Sequence, residues 1–163
     1  MMNILVLGFE GNNNSSKILL DNINNSINLD CLYLKNDFII SVNQLKKKII
    51  ENNYDIIFAF GQKQNVKSIY LKIYAKDINE KLKTNYNYNE LNNYLKNYYK
   101  NKLSENAGNY LCNNIFYNGL KYIYENKLNI NMVFLHIPYM KNIDIKYFSK
   151  IISIYFNNLQ DNM

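Results

Sequence analysis

Cys112 and His136 are the two side chains in this chain best suited to covalent chemistry. Cys112 follows the turn Asn106-Ala-Gly-Asn109 and stands where a helical pattern begins. A thiol there feels the positive end of the helix dipole, which favours the thiolate. Free backbone N–H groups at the same helix end suit a developing oxyanion. His136 is the only histidine and closes an apolar strand pattern. One Cys and one His arriving at the same edge of a sheet make a nucleophile and its base. Each also has a plainer use: a buried Cys serves as a small hydrophobe, and a histidine after an apolar strand serves as a satisfied structural group. Residue types and spacing leave both uses open. Cys31, inside a strand pattern with no histidine in reach, reads as core.

The elements that position this pair follow from hydrophobic periodicity. Asn3 to Gly8, Asp55 to Phe60 and Asn131 to His136 are apolar throughout and predict buried, parallel, adjacent strands at the centre of one sheet. Leu29 to Leu34 predicts a further strand. Asn14-Ser15-Ser16 offers caps for a helix carrying Ile18, Leu19 and Ile23, extending toward Ile27. Ser41 reads as the cap of a helix from Val42 to Asn52. Ser68 to Lys76 alternates, with Ile69, Leu71, Ile73 and Ala75 on one face and Tyr70, Lys72, Tyr74 and Lys76 on the other. Lys81 to Tyr88 reads as a polar loop and Glu90 to Asn101 as a helix. Further helices are expected over Leu111–Glu125 and Ile143–Leu159, with Pro138 ending the strand between them. Strands alternating with helices predict an α/β fold, a three-layer α/β/α sandwich with a mainly parallel, mixed central sheet. Ligands of such sheets bind beyond the carboxyl ends of the strands, which points to Gly8-Phe9-Glu10, Gly61-Gln62 and His136-Ile137-Pro138.

Composition bounds the rest. The 163 residues fit one domain, 1–163, without repeat or linker. Roughly a fifth of the residues are Asn, and all positive charge is Lys; with abundant Ile and Tyr this reads first as AT-rich coding bias. The net charge of +6 raises nucleic acid as a partner, but the absence of Arg and the dispersal of the lysines argue against it. Gly8 and Gly11 do not form a dinucleotide fingerprint. Two cysteines make no disulfide framework, no apolar run reaches the length of a membrane span, and the apolar N-terminus is too short for a signal peptide. The expectation is a cytoplasmic protein with no membrane or nucleic-acid partner and no metal or cofactor.

Four segments, in order, resemble the pyroglutamyl-peptidase (pyrrolidone-carboxylate peptidase) family of cysteine peptidases. Ile4 to Glu10 resembles the family's opening strand and Gly-Phe-Glu turn, and Asp55 to Gln62 its strand ending in Gly-Gln. Glu105 to Asn113, continuing to Phe116-Tyr117, resembles the stretch around the catalytic cysteine, and Phe134 to Pro138 that around the catalytic histidine. The Cys-to-His separation agrees as well. The resemblance implies a cytoplasmic peptidase that removes N-terminal pyroglutamate from peptides. Cys112 would be the nucleophile and His136 its base, with Phe9, Gln62 and Leu111 around the lactam ring. It also admits a homo-oligomer.

This chain departs from the family at points that bear on function. Aligned without gaps from Gly61, the family's catalytic Glu position holds Lys72 and its neighbouring Arg position Ile73, while Ala75 falls on the family's Ala. A cation there would lower the pKa of His136 while still favouring a thiolate at Cys112. The second pocket Phe of the opening turn is absent, the family's Asn-Pro-Ser stretch is reduced to Asn14-Ser15-Ser16, and the segment 79–103 is much shorter. A second expectation is therefore a divergent or impaired relative acting on another small amide or ester, or only binding. The environment of Lys72 separates the two, as does whether Glu10 reaches His136.

Overall fold

The computed structural model describes residues 1–24, 29–106, 108 and 110–162. Its main sheet runs in the order β2-β1-β3-β8-β4-β7. These strands are β1 (Ile4–Phe9), β2 (Leu29–Leu34), β3 (Ile56–Lys63), β4 (Ile69–Lys72), β7 (Asn101–Ser104) and β8 (Asn131–Pro138). β1, β3 and β8 are parallel neighbours at the centre, as their unbroken apolar runs require, because both faces of the sheet are covered. β2 adds in parallel at one side. β4 pairs antiparallel with β8 and parallel with β7, so the sheet is mixed. No helix among the described residues is long and apolar enough to cross a membrane.

Two apolar layers flank this sheet. Ile4, Val6, Phe58, Leu71, Val133 and Leu135 face α1 (Ser15–Ile23), α3 (Tyr88–Lys96) and α5 (Ile145–Asp161). Phe58 is the hub on this side, with ring centroids of Tyr86, Tyr155 and Phe156 at 5.3, 6.2 and 4.7 Å. Leu5, Leu7, Ile57, Ala59 and Phe134 face the other way, against α2 (Phe38–Glu51) and α4 (Leu111–Glu125). α1 lies close on β1: a Cβ on Gly8 would stand 2.9 Å from the Ser16 carbonyl oxygen. The Ser16 hydroxyl in turn accepts from the Phe9 N–H at 3.0 Å.

Four sequence expectations need correction. α2 starts at Phe38, not Val42, because Asp37 caps it, accepting from the N–H groups of Ile39 and Ile40 at 2.8 and 2.7 Å. Ser41 is buried inside the helix. The helix starts early because Phe38, Ile39 and Ile40 form its exposed first turn and so stand outside the buried stripe of Ser41, Leu45 and Ile49. The alternating segment 68–76 is two strands, not one. β4 stays in the main sheet, and β5 (Tyr74–Lys76) pairs antiparallel with β6 (Lys81–Lys83) in a separate ribbon. The chain crosses layers between them, so Leu71 packs on the α5 side and Ala75 on the α4 side. β6 thereby replaces part of the expected loop. The helix expected over 90–101 is α3, which ends at Lys96; Asn101–Ser104 becomes edge strand β7. Ile27, and Ala107 and Asn109 of the expected turn, lie outside the described residues.

Candidate active site

Phe9, Gln62, Lys72, Leu111, Cys112 and His136 line one cavity of about 510 Å³ at the carboxyl ends of β1, β3 and β8. The sheet places His136 and Lys72 by register. Gly61 of β3 pairs with His136 of β8, and Tyr70 of β4 pairs with His136 from the other side. Paired residues of neighbouring strands point to the same face, and alternate residues of one strand share a face. His136, Phe134, Tyr70 and Lys72 therefore project toward α4. His136 and Phe134 meet edge to face, 5.1 Å between ring centroids. Lys72 stands one pair further in, opposite Phe134.

Cys112 arrives from above this face. It is the second residue of α4, whose N-cap is Tyr110, a side chain that makes no capping hydrogen bond. The first turn is left without a side-chain acceptor, the condition under which its N–H groups can serve a ligand. The thiol settles on the bare backbone of Gly61: a Cβ there would lie 2.5 Å from Cys112 Sγ. Glycine is thus what lets the thiol reach the strand beside His136. Phe9 and Leu111 are buried in the apolar layer around α4 as well as lining the cavity. Gln62 has a structural task too, since its Oε1 accepts from the Ser15 N–H at 3.1 Å and holds the start of α1.

Burial dominates the electrostatics of the site. It pushes the Cys112 thiol up to about 12, against the pull of Lys72 toward the thiolate. It pushes His136 down to about 3, with the charges of Lys72 and Lys63 acting in the same direction. Lys72 is fully buried, at 0% exposure, and burial followed by the neighbouring Lys63 brings it down to about 8. Its Nζ donates to Ser104 Oγ at 3.1 Å and to the Asn106 carbonyl at 2.8 Å. Glu10 turns elsewhere, with its carboxylate 3.1 Å from Lys35 Nζ. Among the described residues that line the cavity there is no carboxylate. Cys31 is half-buried on edge strand β2, against the opposite apolar layer, and burial pushes its thiol up to about 12.

Sequence reasoning missed Lys63, Asn106, Tyr110 and Tyr139, which also line the cavity. Lys63 was within reach of it, because it directly follows Gly61-Gln62 at the carboxyl end of a central strand. Asn106 acts on Lys72 through its backbone carbonyl, which no side-chain pattern announces.

A family model described as pyroglutamyl peptidase matches residues 92–158, which contain both Cys112 and His136. Pyrrolidone-carboxylate peptidase 1 of Caldanaerobacter subterraneus subsp. tengcongensis is 53% identical over 38 residues, 23% of this chain and 19% of that protein. A pyrrolidone-carboxylate peptidase of Thermoanaerobacter sp. is 45% identical over 38 residues, again 23% and 19%. The matched stretch thus spans about a fifth of the length of these curated relatives. Two solved structures share the fold over nearly the whole chain. The pyrrolidone carboxyl peptidase of Fervidobacterium islandicum AW-1 superposes with a TM-score of 0.87 at 18% identity, covering 99% of each chain. Pyroglutamyl peptidase I of Bacillus amyloliquefaciens gives 0.85 at 18% identity, covering 94% of each.

Proposed function

From a chain that matches the pyroglutamyl peptidases in sequence over residues 92–158 and in fold over nearly its whole length, we propose a cysteine hydrolase that removes N-terminal pyroglutamate from peptides. The observation that supports this reading is the seating of the Cys112 thiol on Gly61, the register partner of His136, inside one cavity. Cys112 gives up its proton to His136 and its sulfur adds to the carbonyl carbon of the pyroglutamyl residue. N–H groups of the first turn of α4 receive the oxyanion. The C–N bond breaks as His136 returns the proton to the leaving amine, and water then hydrolyses the thioester. Phe9 and Leu111 offer the lactam ring an apolar wall, and Gln62 stands beside it. Peptides bearing N-terminal pyroglutamate are the partners this reading assigns.

Hydrolysis of a pyroglutamyl fluorogenic amide, with the alanyl and prolyl amides as controls, tests it. Cleavage confined to the pyroglutamyl compound and lost in Cys112→Ala is expected. Equal cleavage of all three, or full activity without the thiol, overturns the reading.

A second reading rests on Lys72. A buried ammonium in a cavity whose described lining holds no carboxylate disfavours the imidazolium that must protonate the leaving amine. A site so charged supports a hydrolase slow on amides and better on activated esters, whose weakly basic leaving groups depart without a proton.

A further inference from the structure

The charges of the cavity do not balance. Both acceptors that Lys72 reaches are neutral, a hydroxyl and a carbonyl. An ammonium has three N–H donors, so one is left without an acceptor among the described residues. Among the described residues no Asp or Glu lies within ion-pair distance of Lys72, or of Lys63, which lines the same cavity. The Nζ atoms of Lys63, Lys72 and Lys102 gather 4.8, 5.4 and 5.8 Å from the centre of the Tyr70 ring. A ring face softens such crowding but carries no countercharge. A second observation is independent of the lysines: the Nδ1 atom of His136, a residue only 8% exposed that lines the cavity, has no hydrogen-bond partner. Burying an ammonium without a counter-ion is costly, and buried polar atoms ordinarily have partners. Both residues line one cavity of a size for a small molecule.

We propose that this cavity takes a small amide or ester whose acyl part carries a carboxylate, seated against Lys72 with its reacting carbonyl carbon at Cys112. The inference rests on the reading of Cys112 as nucleophile and narrows the substrate class, since a pyroglutamyl ring is itself uncharged. For a dicarboxylic acid monoamide the sulfur adds to the amide carbon, the C–N bond breaks, and ammonia leaves with the thiol proton. Water then splits the thioester, giving the dicarboxylate and regenerating the thiol. The carboxylate supplies the charge-assisted hydrogen bond that Lys72 lacks.

Succinamate and succinamide are matched probes, alike in shape and differing in one charge. Titration calorimetry at pH 7 on the wild type should show succinamate binding tighter by about tenfold or more. Lys72→Met, which keeps the length and apolar stem, should erase that ratio while leaving succinamide binding unchanged. A merely structural Lys72 would weaken both probes together, and that result overturns the inference, as does equal binding of the two by the wild type. Should Lys72→Met not fold, alkylation of the wild type decides. Iodoacetate over iodoacetamide should be favoured at Cys112 relative to Cys31, by about tenfold or more; equal ratios at the two thiols overturn the inference. Pyroglutamyl-amide cleavage, assayed in parallel, separates the two claims. Carboxylate preference without cleavage counts against the peptidase reading alone, and cleavage without carboxylate preference counts against this inference alone.

Discussion

At the scale of single residues, Lys72 sets the charge of the cavity. Alternation along 68–76 placed it with Tyr70, on the face away from Ile69 and Leu71, and the structure keeps it there. What alternation could not convey is that this face is covered by α4 and the stretch before it, so Lys72 is buried instead of solvated. The charge has opposite effects on the two halves of the reaction. It favours the thiolate of Cys112 and disfavours the protonated His136. Lys72 loses its proton at about 8. Amide cleavage, which needs His136 as an acid, should rise as pH passes through that value. Cleavage of an activated ester, which needs only the thiolate, should climb less steeply above that value than below it, because the thiolate then lacks its neighbouring cation. Both inflections should vanish in Lys72→Met, and Lys72→Glu should raise the amide rate by about tenfold or more. Rate–pH profiles with both substrates check this. An amide profile without an inflection near 8, with Lys72→Glu no faster than the wild type, contradicts it. The meeting of the other five expected residues in one cavity could be read from the sequence, because each sits near a strand's carboxyl end or in a helix's first turn, places where α/β sheets bind ligands.

At the scale of elements, legibility followed the strength of the local signal. β2 and α4 appear with the limits expected, since a short, mostly apolar segment broken only by Asp30 and a long stripe of Ile115, Phe116, Leu120 and Ile123 mark them. The two short strands β4 and β5 were read as one because their side chains keep alternating in sequence. The break is made by partners distant along the chain: the Ile73 N–H donates to Ser104 O, and the Ile73 carbonyl accepts from the Thr84 N–H. The start of α2 was misplaced for a different reason. Ser and Asp both cap helices well, and the apolar stripe begins after Ser41, so the stripe pointed to the wrong one. The correction has a measurable consequence. Asp37→Ala should cost about 1 kcal/mol, the usual worth of an N-cap. Ser41→Ala should cost nothing or add stability, because the buried Ser41 hydroxyl has no hydrogen-bond partner to lose. Chemical denaturation of the two variants distinguishes them, and the reverse order of stabilities contradicts the assignment of the cap.

At the scale of the whole molecule, the order β2-β1-β3-β8-β4-β7 is what turns distant residues into a site. Parallel β1, β3 and β8 bring Phe9, Gln62 and His136 to one edge, and antiparallel β4 brings Lys72 in from the other direction. The parallel centre could be read from its apolar runs; the reversal of β4 could not, because a polar-alternating strand looks the same in either direction. Global stability carries the mark of this site. The pKa of His136 is lowered on folding, from 6.5 to about 3, chiefly by burial and then by Lys72 and Lys63. As pH falls below 6.5 the unfolded chain takes the proton first. Stability is therefore complete above 6.5 and is lost toward pH 3, by about 1.4 kcal/mol per pH unit. His136→Gln should flatten that limb between pH 6.5 and 5, above the carboxylate range, in urea unfolding followed across pH; an unchanged slope in the variant contradicts the burial argument. The central claim, that Cys112 is the nucleophile of a hydrolase, is met most directly by trapping the acyl-enzyme. An activated pyroglutamyl ester is quenched in acid within the first turnover, and the peptides are mapped by mass spectrometry. The account predicts a pyroglutamyl thioester on the peptide containing Cys112, none on that containing Cys31, and none in Cys112→Ala. Product release with no adduct at Cys112, or an adduct at Cys31 instead, would contradict it.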